Sequence, residues 1–406
     1  MYLTGLTHRN ELFDLTARWL NDDVHEGDGR IISEIFLYEG FISGSFVIRR
    51  MVQFLENVFG PNLGMERIHQ KYFIREKLIQ YNAQPTQRTE ALARSFRENP
   101  EFYFPRLPID AVLVMSGGKR LVSIGRIKRL SRLAEKVSFR LMDSIFKDIK
   151  AEAEGFAERR AAFAGLPLKS YISSPDVMEQ DFMDAERAIA ARFRQKAMQF
   201  EREAFAINDI LGFKIIVEPD ETDRVLDCLE AEPGFEIVEV QAHTGHYNAV
   251  NLAIDLTLPD PGEVIASLRD VDWSVAAQRG LDPDMARQGL EAYLERGSRT
   301  IRTEIILTTY PELMESEFGR SLHELRILKL REQTPYRGLI AQNAGYLIEY
   351  MLTLATSPVI HGTELPIKIY GRYLPETIHG LKSALFGKDM DGGFLNAFCL
   401  IPGGQT

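Results

Sequence analysis

At 406 residues, with 45% hydrophobic and 26% charged side chains, the chain has the composition of an ordinary folded protein and is too long for one core of usual size, so two or three structural units are expected. A net charge of −10 argues against broad electrostatic binding to nucleic acid, although a local basic patch stays open. Two cysteines, Cys228 and Cys399, argue against a disulfide framework or cysteine metal centre; with no secretory pattern at the N-terminus and no run near the ~18 apolar residues of a membrane span, a cytoplasmic location without a membrane partner is expected.

Residues 1–105 read as a helical N-terminal domain. Leu12, Phe13, Leu15 and Leu20 recur at helical spacing, Ile31 to Phe59 carries a nearly unbroken apolar face, and Gly60-Pro61-Asn62 interrupts it. Met65 to Asn82 and Gln87 to Arg97 read as two further amphipathic helices, with His69 isolated on the surface and no catalytic chemistry in the segment.

After Pro105 to Pro108 the pattern changes to a strand at Ala111–Met115, a Gly117-Gly118 turn and a strand at Leu121–Ile124. These lead into a helix start crowded with Arg126, Lys128, Arg129, Arg132 and Lys136. Like charges so placed repel unless an anion is present, which makes the segment a polyphosphate cradle by type; the alternative is a solvated basic face. From Val137 to Phe205 a helical hairpin is expected, with a loop over Pro167–Pro175, projecting from the domain as an insertion.

Two strands then begin with an acid: Asn208-Asp209-Ile-Leu-Gly-Phe-Lys214-Ile-Ile-Val217, and Arg302-Thr303-Glu304-Ile-Ile-Leu307. A carboxylate within an apolar run needs neutralising, and a divalent cation held between the strands would do so; two acids at exposed strand ends are the alternative. Between them Phe235–Gln241 and Asn248–Leu256 read as strands and Pro283–Glu295 as a helix; His243 and His246 lack the partners a metal site requires. Residues 331–406 form a C-terminal α/β segment of unknown role: an apolar helix over Tyr336–Ala355, a short strand at Leu365–Gly371, a helix from Pro375 and a glycine-rich tail.

Gly125-Arg126-Ile-Lys128, with Lys136 following, resembles the ATP-binding segment of the RelA/SpoT-type (p)ppGpp synthetase domain. Asp209-Ile-Leu-Gly-Phe-Lys214 is similar to that family's Asp-x-x-Gly-x-Arg, Glu304-Ile-Ile-Leu to its Glu-x-Gln, Gly245-His-Tyr247-Asn248-Ala-Val-Asn251 to its acceptor segment, and Glu317-Phe-Gly-Arg-Ser-Leu-His323 to a helix that follows. The resemblance spans roughly residues 106–330 and implies a nucleotidyltransferase-like α+β fold, a mixed β-sheet core flanked by helices.

It also implies an enzyme without a hydrolase domain: a Mg²⁺-dependent pyrophosphokinase with Asp209 and Glu304 as catalytic and metal-holding acids. Arg126, Lys128 and Lys136 would bind the ATP phosphates, Tyr247, Asn248 and Asn251 the acceptor, and Lys214, Glu317 and His323 would support them. The implied substrates are ATP and a guanine nucleotide, GDP or GTP.

Several positions depart from the family. Lys214 stands for an arginine, Asn248 and Asn251 for an arginine and a histidine, and Ile306 and Thr308 for a glutamine and an arginine. Missing guanine-nucleotide donors leave a toxin-like relative acting on the tRNA 3′ end open, as well as a non-catalytic nucleotide-binding member. The long gap between Lys136 and Asp209 leaves Lys196 as an alternative cation, and a homo-oligomer is compatible with the terminal segments.

Overall fold

The computed structural model describes residues 1–81, 85–118, 120–245, 248–319, 338–360, 362 and 364–386, and among these it has nine strands, fifteen α-helices and five short 3₁₀ or π stretches. The strands are β1 (Tyr2–Leu3), β2 (Gly64–Gln70), β3 (Pro108–Ser116), β4 (Arg120–Ile127), β5 (Ala206–Ile207), β6 (Leu211–Ile216), β7 (Phe235–His243), β8 (Ala249–Thr257) and β9 (Thr300–Thr308). Seven of them form one sheet in the order β2-β3-β4-β6-β9-β8-β7. Only the central pair, β6 and β9, runs parallel; every other pairing in that sheet is antiparallel. The fold is therefore mixed α+β, a mostly antiparallel sheet flanked by helices.

The two faces follow from strand alternation. Leu211, Phe213, Ile215, Ile305, Leu307, Leu252 and Ile254 turn into the larger core. That core is built with α1 (Arg9–Leu20), α2 (Asp28–Phe41), α3 (Ile48–Phe59), α6 (Leu130–Phe163) and the apolar helix Leu339–Leu354. Gly125 of β4 lies opposite Phe213, whose ring comes within 2.6 Å of where a Cβ would stand, so only glycine fits there. On the other face Ala111, Leu113, Ile124 and Ile216 pack under α4 (Lys71–Gln80), α5 (Gln87–Glu98) and α13 (Tyr310–Met314). Farther across that face, over β9 and β8, the residues Glu304, Ile306, Asn251 and Ala253 are only half-buried.

Several expectations are corrected. The first hundred residues are not a helical domain apart: β2 pairs with β3, and β1 forms a parallel ladder with β5. Met65 to Asn82 does not form one helix, because its first third belongs to the edge strand β2. Having a neighbour on one side only, that strand exposes most of its residues and lacks the apolar alternation that marks an interior strand. Helices α2 and α3 join through a π-helical stretch at Ile42–Val47 into one run, Asp28–Phe59. That run is long and apolar enough to cross a membrane, with 89% of its most apolar window buried by the rest of the chain.

The helical hairpin is present as α6 and α8 (Pro175–Arg194), but α6 does not simply project: Leu133, Val137, Leu141, Ile145 and Ile149 lie in the core. Helix α8 stops at Arg194 rather than Phe205. The chain turns at Lys196, which has a left-handed φ of 56°, and the side chain of buried Asn21 exchanges two hydrogen bonds with the Met198 backbone at 3.0 and 3.2 Å. No strand forms at Leu365–Gly371: buried Asn343 donates to the carbonyls of Ile369 and Gly371, both at 2.8 Å, in place of a neighbouring strand.

Candidate active site

Asp209 stands in the short link between β5 and β6, and the first residues of the chain brace that link. Thr4 Oγ1 donates to Asn208 Oδ1 at 2.9 Å and Thr4 N to the Ile207 carbonyl at 3.1 Å, while Arg302 N donates to the Thr4 carbonyl at 3.1 Å. One segment thus ties together the loop carrying Asp209 and the strand carrying Glu304. Parallel pairing sets Glu304 opposite Gly212, and a Cβ at Gly212 would stand 3.3 Å from Glu304 Oε2, so the glycine leaves room for this carboxylate.

Lys128, just past β4, donates its backbone N–H to the Ile210 carbonyl at 2.8 Å, and its Nζ lies 2.7 Å from Asp209 Oδ2. Lys136, on the second turn of α6, reaches the same Oδ2. Burial pushes the pKa of Asp209 up, but the two lysines outweigh it and hold the group below its ordinary value. For Glu304 burial dominates; Lys128 opposes the rise, the charge of Asp209 adds to it, and the pKa ends above the usual carboxylate value. Burial also lowers Lys128, in spite of Asp209. The Glu304 carboxylate is half-buried and accepts no hydrogen bond from the described residues.

A second charged group lies next along β6. Glu317, on the π-helical turn Glu315–Gly319 that extends α13, is 4% exposed and takes Arg126 Nη2 at 2.8 Å and Lys214 Nζ at 3.6 Å. Lys214 also donates to Ser316 Oγ at 3.1 Å, and Arg75 of α4, 1% exposed, donates its Nε to the Glu317 carbonyl at 2.9 Å. Against the burial that would raise it, the combined charge of Arg126, Lys214, Lys71 and Arg75 holds the Glu317 carboxyl far below its ordinary value. Burial brings Lys71 down to about 8. Sequence reasoning missed Lys71 and Arg75, which sit on an amphipathic helix with no marker beyond their charge.

The structure thus gathers Asp209, Glu304, Arg126, Lys128, Lys136, Lys214 and Glu317 on one side of the sheet. It separates Lys196, whose Nζ instead lies 3.1 Å from Asp23, and so answers for Lys136 at this site. Asn251 of β8 shares the face of Glu304, and its Oδ1 is buried without a hydrogen-bond partner among the described residues. Asn248 is tied down: its Nδ2 donates to Glu312 at 2.7 Å and its Oδ1 accepts from Gly245 N at 2.9 Å. Tyr247 and His323 lie outside the described residues.

The chain matches no family model, no curated protein and no solved structure. Among the described residues no three His, Cys, Asp or Glu groups gather as a metal site. Two carboxylates on adjoining elements still fit Mg²⁺, which commonly takes one or two protein carboxylates and completes its shell with water and substrate phosphates. An anionic polyphosphate would in turn relieve the concentration of Lys and Arg around them.

Proposed function

We propose that the protein is an ATP-dependent pyrophosphokinase, a nucleotidyltransferase-like enzyme moving pyrophosphate from ATP to the 3′-hydroxyl of a guanine nucleotide. The observation that carries this reading is the pairing of a lysine-held acid, Asp209, at the entry to β6 with Glu304 on the parallel neighbour β9, an acid of raised pKa that accepts no hydrogen bond from the described residues. A structural pair of acids would be expected to be satisfied on both sides; this one is neutralised on one side and left open on the other.

Asp209 and Glu304 would hold Mg²⁺, which supplies charge neutralisation to the transferred group and the leaving oxygen. Lys128 and Lys136 offer their ammonium groups to the triphosphate once Asp209 has another counter-charge. Glu304, with its raised pKa, takes the proton of the 3′-hydroxyl as that oxygen attacks the β-phosphorus. The bond from the β-phosphorus to the bridging α–β oxygen breaks and AMP leaves with the electron pair. Asn251, whose Oδ1 has no hydrogen-bond partner among the described residues, would accept from the incoming base.

The test is incubation with γ-labelled ATP and Mg²⁺ in the presence of GDP, GTP or bulk tRNA, following label and AMP, with an Asp209→Ala control. Label on a guanine nucleotide with AMP release, lost in the control, is the expected result. Label on tRNA would move the acceptor to RNA ends, and no transfer with unaltered nucleotide binding in the control would make the site non-catalytic.

A further inference from the structure

Residues 1–9 form a strap over the elements that support both acids, and charge pins its far end. Arg9 donates to the carbonyls of Thr4 and Thr300 at 3.2 and 2.8 Å, and Ser298 N donates to the Thr7 carbonyl at 2.9 Å. The strap therefore lies along the start of β9 as well as on the β5–β6 link. At its end Glu39 of α2, wholly buried, accepts on Oε1 from Thr7 N at 2.6 Å, His8 N at 3.0 Å and the Tyr293 hydroxyl at 2.9 Å. Buried His8 sets Nδ1 2.6 Å from Glu11 Oε2 and Nε2 2.8 Å from the Tyr293 carbonyl.

A carbonyl and an ionised carboxylate only accept, so both ring nitrogens carry a proton and His8 is an imidazolium. Its ring stacks on that of Tyr293, 3.7 Å between centres, and an aromatic face suits a cation. Burial opposes the charge, but the bonds to Glu11 and the Tyr293 carbonyl, with the charge of Glu39, outweigh it and hold the His8 pKa above its ordinary value. Arg296, on the same helix as Tyr293, acts on Glu11, and Asp14 and Arg18 of α1 line the cleft in front of the ring. Loss of one proton sets two acceptors against each other and takes from Glu39 the positive charge that offsets it. A buried carboxylate stripped of its cation is strongly unfavourable. Three of the donors to Glu39 belong to Thr7 and His8, so the strap is the part that gives way.

We infer that His8 is a positioning residue: while its ring holds two protons it pins residues 1–9 across β9 and the β5–β6 link, and when it loses one the strap loosens and the supports of Asp209 and Glu304 come apart. The effect on pyrophosphate transfer rests on the reaction proposed above; the pin does not. A histidine of raised pKa contributes stability that is whole below its unfolded value, near 6.5, and is lost as pH rises through the folded one. The strap is therefore secure in mild acid and loosens on the alkaline side.

The experiment follows the full chain from about pH 6 to about pH 9 by histidine-selective NMR and by amide hydrogen exchange, expressed as protection relative to unstructured chain. The sequence has eight histidines, and the resonance that His8→Gln lacks is that of His8. Wild type shows a His8 midpoint above 6.5, and the amides of Thr4, Ser298 and Arg302 lose about tenfold or more of their protection through the same midpoint. Glu11, with a side chain 43% exposed, can be changed without opening the core; Glu11→Gln moves both midpoints down together, and His8→Gln shows no such step. A His8 midpoint at or below 6.5, protection that does not follow it, or a midpoint unmoved in Glu11→Gln would each overturn the pin. In the transfer assay kcat of wild type falls on the alkaline side at the His8 midpoint, a fall that Glu11→Gln moves down and His8→Gln lacks. One pH profile shared by all three would overturn the influence on the acids. Protection that follows His8, with no transfer to any acceptor, would uphold the pin while removing the proposed reaction.

Discussion

Two halves of one sheet face have opposite fates. Over β2, β3 and β4 the face is roofed by α4, α5 and α13, and its residues are sealed in a second core with Phe96, Tyr103 and Phe318. Over β9 and β8 no such cluster forms among the described residues, and Glu304, Asn251 and Ala253 remain half-buried. Each half contains a carboxylate in a poor dielectric, and the environments drive them apart: Glu317, ringed by cations, is held far down, while Glu304 is left high. Burial alone does not tell what an acid is for. The sign of the shift separates an acid fastened into the frame from one kept free to act.

The largest expected effect tests the open half. Glu304→Gln should cut transfer about ten-thousandfold, about 5 kcal/mol of barrier, in a single-turnover assay; a loss under tenfold would mean that Glu304 does not take the proton. The covered half should answer in stability instead. Glu317→Gln takes from Arg126 and Lys214 the buried carboxylate they share and should cost about 4 kcal/mol in urea unfolding. A near-neutral result would show the cluster to be better solvated than its burial indicates.

Acid sharpens the same contrast. A depressed carboxyl contributes stability that is whole above its unfolded value, near 4.5, and is lost as pH falls through that value toward the folded one. Wild type should therefore lose stability below about pH 4.5 more steeply than Glu317→Gln, as followed by urea midpoints across pH. The opposite face supplies a reference: Gly125→Ala drives a methyl into the Phe213 ring and should cost about 2 kcal/mol in the same assay without touching the charged groups. The smallest effect has the reverse sign. Glu304 has a raised pKa and so costs stability at neutral pH; Glu304→Gln should stabilise the chain by less than about 1 kcal/mol, the exchange expected of a residue kept for function.

Much of this was legible in the order of residues. Asp209 and Glu304 stood out because an acid opening a β-branched run is an anomaly, and Gly212 and Lys214 followed from the same stretch. Lys136 was separable from Lys196 only in space, since Lys196 lies past a helix end that Asn21 fixes from far away in sequence. Lys71 and Arg75 were illegible for the same reason. Their significance comes from Glu317, more than two hundred residues on, and no local pattern encodes that meeting. β2 was missed because an exposed edge strand carries the polar sequence of a surface helix. The strand expected at Leu365–Gly371 failed because a single buried asparagine replaced a ladder.

The place of β9 has a consequence in time. It lies between β6 and β8, and β8 is made earlier, so the hairpin of β7 and β8 has no edge on β6 to dock against until residues 300–308 arrive. During synthesis the sheet exists as two unjoined pieces, and one late strand, the strand of Glu304, closes them. The keystone of the architecture and the proposed base of the reaction are the same nine residues, so the chain acquires its chemistry in the step that completes its sheet.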